Sequence, residues 1–138
     1  MHYAKAWPGA RFAVIGYSFG ASLVPVLINR LPAPLQDRID RGVMISPDPD
    51  AVFEIRIGDW LGGARHDGRV AVLPAVAASR IPITCIHGLD EADSFCKPGL
   101  AASLGVLALP GGHHFNGDYG LLGDTIVEAL KSRGNAQP

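Results

Sequence analysis

The sequence predicts an α/β fold: a mainly parallel sheet of about four strands covered by helices. Three observations carry that expectation. Short apolar runs at residues 11–18, 42–46, 83–87 and 106–109 are bounded by turn residues, as buried strands are. Helix-length segments separate these runs, and strands joined by helical crossovers pair in parallel in a sheet buried on both faces. The third observation is one of placement. Serine, acidic residues and histidines collect just after the ends of three of the runs, where open α/β sheets place their sites.

The elements follow in order along 138 residues, a length that suits one domain over residues 1–138. After the first strand, residues 19–30 read as a helix that is apolar nearly all round (Leu23, Val24, Val26, Leu27, Ile28), hence buried, with Pro25 expected to bend it. Leu31-Pro32-Ala33-Pro34 ends it. The second strand, 42–46, stops at Pro47-Asp48-Pro49-Asp50. Val52, Phe53, Ile55 and Ile57 interleave with Glu54 and Arg56 as a short half-exposed strand, and residues 62–68 form a glycine-rich loop. Residues 71–79 read as a helix with Pro74 in its first turn, and a short helix is expected near 98–104, between the third and fourth strands. The chain closes with an amphipathic helix over 121–133, where Leu122, Ile126 and Leu130 fall four apart. Lys131 and Arg133 suit the negative end of its dipole, and Gly134 stops it.

Composition narrows the partners. The chain is 48% apolar and 18% charged, with a net charge of −1 and scattered signs, so it has no electrostatic grip for nucleic acid and no polybasic membrane patch. No apolar stretch reaches bilayer length, and the start MHYAKAWPG lacks the apolar core of a signal peptide. No cofactor is expected. Nor is a metal, because Cys85 and Cys96 do not have the spacing of zinc ligands. These two cysteines bracket a short polar loop and allow two readings, buried thiols or a disulfide.

The chemistry begins at Gly16-Tyr17-Ser18-Phe19-Gly20, a G-x-S-x-G pentad directly after Phe12-Ala13-Val14-Ile15 and before a helix. A strand-turn-helix of this pattern is the nucleophile elbow of an α/β-hydrolase, in which Cβ atoms on either side of the serine are expected to collide with backbone. The third strand runs into Asp90, Glu91 and Asp93, and the fourth into His113 and His114. Serine, acid, histidine is the chain order of the hydrolase triad. The hydroxyl needs a base to take its proton, and the imidazole needs a carboxylate to fix its tautomer. His114, beside Phe115 and before Asn116-Gly117, is preferred as the base over His113. Glu91, three residues after Gly88, and Asp93, further into the loop, both stand as the acid. His87 reads as a packed or hydrogen-bonded histidine. The N–H of Phe19, the residue after the serine, is the donor assignable to an oxyanion hole.

These residues resemble the AcvB/VirJ bacterial virulence proteins of the α/β-hydrolase superfamily. The matching stretches are IGYSFGA at 15–21, NRLP at 29–32, FEI at 53–55, WLG at 60–62, CIHGLDEADSFC at 85–96 and LPGGHHFNGDY at 109–119. The resemblance implies a periplasmic serine hydrolase that removes the lysyl group from lysyl-phosphatidylglycerol, with a link to type IV secretion. The implied substrate is an aminoacyl phospholipid or another ester, reached at a membrane surface. It also favours a Cys85–Cys96 disulfide. Glu54 and Asp59 read as solvated surface acids, with attraction of a lysyl ammonium as the lesser alternative. Where the family carries Asp after GYSFGA, this chain has Ser22. The chain begins just before the nucleophile strand, so a hydrolase domain truncated at its N-terminus is expected, with part of the oxyanion hole missing. Residues 12–15 would then form an exposed edge open to self-association. The alternative function is a noncatalytic interaction module serving secretion.

Overall fold

The computed structural model describes residues 2–52 and 69–131. In chain order it contains α1 (His2–Ala6), β1 (Phe12–Tyr17), α2 (Phe19–Arg30), α3 (Ala33–Gln36), β2 (Ile39–Ile45), β3 (Asp50–Val52) and β4 (Arg69–Ala71). Then come α4 (Val72–Ala77), β5 (Ile83–Gly88), β6 (Leu104–Leu109), a single 3-10 turn (Phe115–Gly117) and α5 (Tyr119–Lys131). The main sheet has the order β1-β2-β5-β6 with every pairing parallel. β3 and β4 form a separate antiparallel pair.

Two apolar cores cover the two faces of this sheet, which is why its middle strands read as continuous apolar runs rather than alternating ones. On one face, Ala21, Val24 and Ile28 of α2 and Val72 and Val76 around α4 pack with Met44, Ile83 and Cys85. On the other, Phe115 and Leu122 pack on Val43, Ile45, Ile86 and Leu109, with Ile126 against them. Each such side chain, fully buried, contributes about 1.5–3 kcal/mol. β1 departs from the pattern. Its residues alternate in burial, Phe12 and Val14 turning toward the α2 core while Ile15 and Tyr17 stay exposed at the end of the sheet.

Several expectations are adjusted. β2 begins at Ile39, ahead of residue 42, because Ile39 and Arg41 already pair with Phe12 and Ala13. The short helix expected near 98–104 is absent. Turns stand there instead, since Gly99 has a φ of +81° and cannot continue a right-handed helix, while Leu104 already belongs to β6. α1 was not anticipated; Tyr3 stacks on Trp7 at 5.3 Å, and the Arg38 guanidinium donates to the carbonyls of Trp7 and Ala10. α5 starts at Tyr119 because Asp118 Oδ1 accepts the Leu121 N–H at 3.0 Å, a cap two residues ahead of the apolar periodicity. The half-exposed strand is described only to Val52; residues 53–68, which include Glu54, Asp59 and the 62–68 loop, lie outside the described residues, as do Arg133 and Gly134.

Candidate active site

Ser18 stands between β1 and α2 with φ 54° and ψ −127°. Positive φ in a side chain other than glycine costs on the order of 1–3 kcal/mol. The surrounding structure holds it there: the Ser18 N–H donates to Ile45 O at 2.8 Å, and its carbonyl accepts from Ala21 and Ser22 of the first helical turn. A methyl group at Gly16 would lie 2.6 Å from the Gly20 carbonyl carbon and 2.8 Å from Ala21 Cα, so the strand and helix meet only because Gly16 has no side chain. The expected collision on both sides is corrected at Gly20, where an added Cβ meets nothing within 4 Å. Serine before a helix ordinarily caps it by accepting an N–H of the first turn. Ser18 makes no such bond. Its Oγ lies instead 3.0 Å from His113 Nε2.

The other ring nitrogen, His113 Nδ1, lies 3.1 Å from Glu91 Oε1. A carboxylate only accepts, so the imidazole carries its proton on Nδ1, and its Nε2 lone pair faces the serine hydroxyl. Hydroxyl, imidazole and carboxylate thus form one hydrogen-bonded series, a geometry suited to drawing the proton from Ser18. The preference for His114 as the base is corrected: its Nδ1 lies 2.8 Å from the Tyr17 hydroxyl, and the imidazole on Ser18 is that of His113. Glu91 is half-buried against His113, whereas Asp93 is exposed in the same loop and is not the carboxylate on that ring. His87 is half-buried with Nδ1 3.0 Å from Gly88 O. Among the described residues, no group of three His, Cys, Asp or Glu side chains is placed to hold a metal ion.

The backbone explains the choice of imidazole. Phe115 and Asn116 both have positive φ, 51° and 52°, and this left-handed pair turns the chain so that Phe115 drops into the core at 2% exposure. Anchored there, the loop presents His113 toward Ser18 and His114 toward Tyr17. The acid loop is fastened otherwise. Cys85 and Cys96 are disulfide-bonded, both buried, and the bridge ties the end of the Glu91 loop back to β5. The two loops touch at Gly88, where a methyl would collide with the carbonyls of Gly111 and Gly112, and the Asp90 N–H donates to Gly111 O at 3.0 Å.

The sequence does not single out Tyr17, and it marks Ser22 only as a departure from the family's Asp. Tyr17 reads in sequence as the variable position of the pentad, yet its hydroxyl reaches both His113 O, at 3.0 Å, and His114. Although the ring is exposed, partial loss of water around the hydroxyl, then Tyr119 and Glu91 nearby, raise its phenol above the ordinary tyrosine value. Ser22, fully buried, both donates to Asp48 O and accepts the Asp48 N–H, each at 3.0 Å, so the hydroxyl ties α2 to the loop after β2. The signal for Ser22 was its position, one turn after Ser18 on a buried helix face. For Tyr17 there was none beyond adjacency.

With this geometry in place, comparison with known proteins adds the fold and the family. The esterase domain of a Rhodothermus marinus protein superposes with a TM-score of 0.64 at 17% identity, over 96% of this chain and 66% of that one. An esterase of Pyrococcus furiosus gives 0.60 at 16% identity, over 94% of this chain and 57% of that one. The thioesterase domain from the curacin biosynthetic pathway gives 0.58 at 12%, over 91% and 69%. At these identities the likeness establishes the α/β-hydrolase fold alone. No curated protein sequence gives a significant match. The family model described as "Bacterial virulence protein (VirJ)" matches residues 1–134.

Proposed function

The chain belongs to the VirJ family of bacterial virulence proteins, and from that membership we propose a serine ester hydrolase with Ser18 as nucleophile, His113 as base and Glu91 as its carboxylate partner. The single observation that supports the reading is the series Ser18 Oγ, His113 Nε2 at 3.0 Å, and His113 Nδ1 to Glu91 Oε1 at 3.1 Å. In the proposed reaction Ser18 Oγ attacks the ester carbonyl while its proton passes to His113 Nε2. The tetrahedral oxyanion takes a hydrogen bond from the Phe19 N–H, at the first position of α2. Collapse expels the alcohol, which receives the proton from His113. Water then attacks the acyl-serine with His113 again as base, releasing the acid and restoring Ser18. Glu91 holds the ring and balances the imidazolium in both halves.

For substrate, the proposal is an aminoacyl ester on a phospholipid headgroup, the lysyl ester of phosphatidylglycerol first, with the enzyme working in the periplasm. The resemblance of the 85–96 and 109–119 stretches supports this choice, and a disulfide between Cys85 and Cys96 accords with an oxidising compartment. No helix among the described residues is long and apolar enough to cross a membrane.

The test is release of lysine from lysyl-phosphatidylglycerol vesicles, alongside labelling of Ser18 by a fluorophosphonate probe. Wild type is expected to do both, and Ser18→Ala to lose at least about 10³-fold of the release and all of the label. Label without lysine release keeps the hydrolase and discards the substrate. Equal release by wild type and Ser18→Ala removes the nucleophile, and absence of label in wild type returns the noncatalytic module.

A further inference from the structure

Tyr17 is joined by one peptide bond to the serine and touches the loop that carries the base. Its hydroxyl has two partners of different kinds. His113 O is a carbonyl and can only accept, so the phenolic proton goes to it at 3.0 Å. The phenolic oxygen is then left to accept, and at 2.8 Å its remaining partner, His114 Nδ1, must supply the proton. Reversing the assignment would set two oxygens 3.0 Å apart with no hydrogen between them. Only one arrangement satisfies both contacts, and it makes neutral His114 the Nδ1–H tautomer. The rings pack as well: the Tyr17 and His113 centroids lie 5.3 Å apart at 47°, and His113 and His114 meet edge-on at 5.3 Å and 88°.

We propose that Tyr17 is a positioning residue whose hydroxyl clamps the His113–His114 pair to the nucleophile turn and so holds His113 Nε2 on Ser18 Oγ. The inference rests on the serine-hydrolase reading and adds a residue to it. The base loop needs such a holder. Its core anchor, Phe115, lies beyond both histidines, and the loop runs through positive φ at Phe115, Asn116 and Gly117. The phenol proton is available for the task at ordinary pH, since its surroundings favour the protonated form. Because Tyr17 and Ser18 are adjacent, the clamp fixes nucleophile and base in one frame. A displacement of an ångström at such a pair is costly in rate.

Tyr17→Phe separates the clamp from the packing, because it keeps the ring and removes only the hydroxyl. Second-order labelling by a fluorophosphonate probe, measured on the whole protein, is expected to slow about ten-fold in Tyr17→Phe. Nitrogen NMR of the imidazoles gives a readout independent of activity: His114 is expected as Nδ1–H in wild type and to lose that preference in Tyr17→Phe. His114→Ala, which removes the other end of the clamp, is expected to slow labelling about three-fold, and it carries the test should Tyr17→Phe not fold. Wild-type labelling with unchanged rates in the variants overturns the clamp and leaves the hydrolase standing. A His114 in the Nε2–H form in wild type overturns it equally. A wild type that takes no label at all overturns both readings together.

Discussion

The two loops that bring side chains to Ser18 are held by opposite means. The acid loop is closed by a covalent bond, Cys85 to Cys96, which restricts the unfolded chain as much as it shapes the folded one. The base loop has no such bond. It is set by left-handed backbone at Phe115 and Asn116, by Phe115 sunk in the core, and by the Tyr17 hydroxyl on His113 O and His114. One loop gains its order from a cross-link, the other from native contacts. Damage to the first should therefore appear chiefly as lost stability, and damage to the second chiefly as lost reactivity.

The largest expected effects lie in the side chains themselves. Removing the proposed base with His113→Ala is expected to lower fluorophosphonate labelling at least about 10³-fold, and Glu91→Gln about 10²- to 10⁴-fold. Asp93→Asn, two residues further along the same loop and exposed, is expected to label within about two-fold of wild type. An Asp93→Asn as slow as Glu91→Gln would move the acid to the other carboxylate. Next come the fasteners. Replacing both cysteines by alanine is expected to cost about 3 kcal/mol in denaturant unfolding. Gly88→Ala, which drives a methyl into the carbonyls of Gly111 and Gly112, is expected to cost about 1–3 kcal/mol and to slow labelling as the loops part. If the cysteine variant lost reactivity and kept its stability, the contrast between the loops would be wrong.

The smallest effect is a pH dependence confined to the base loop. The folded phenol of Tyr17 is raised above its unfolded value, so its contribution is fully present below pH of about 10 and disappears as pH rises through the folded pKa. An alkaline fall in labelling that is present in wild type and missing in Tyr17→Phe is the expected signature.

Much of the frame was legible in the sequence because it depends on patterns that repeat. Strand and helix alternation around residues 12–30 follows from apolar runs and turn residues, and the placement of Ser18, the acids and the histidines follows from where strands end. What was not legible depends on single torsions. His113 and His114 are adjacent and chemically identical, and which one meets the serine depends on the left-handed turn at Phe115 and Asn116; Asn116-Gly117 signals a turn there but not which ring it aims at Ser18. Glu91 and Asp93 lie in an irregular turn, where no period assigns a direction. The helix expected near 98–104 gives way at Gly99 for the same reason, and no local pattern marks Tyr17, whose partners are 96 and 97 residues away.

The turn at Ser18 has a last consequence. This residue occupies a conformation that glycine would adopt without penalty, and its hydroxyl leaves the first turn of α2 uncapped in order to face an imidazole. Both concessions fall on one position. A chain selected only to fold well would give up that serine, so the proposed nucleophile would set a ceiling on the durability of this domain.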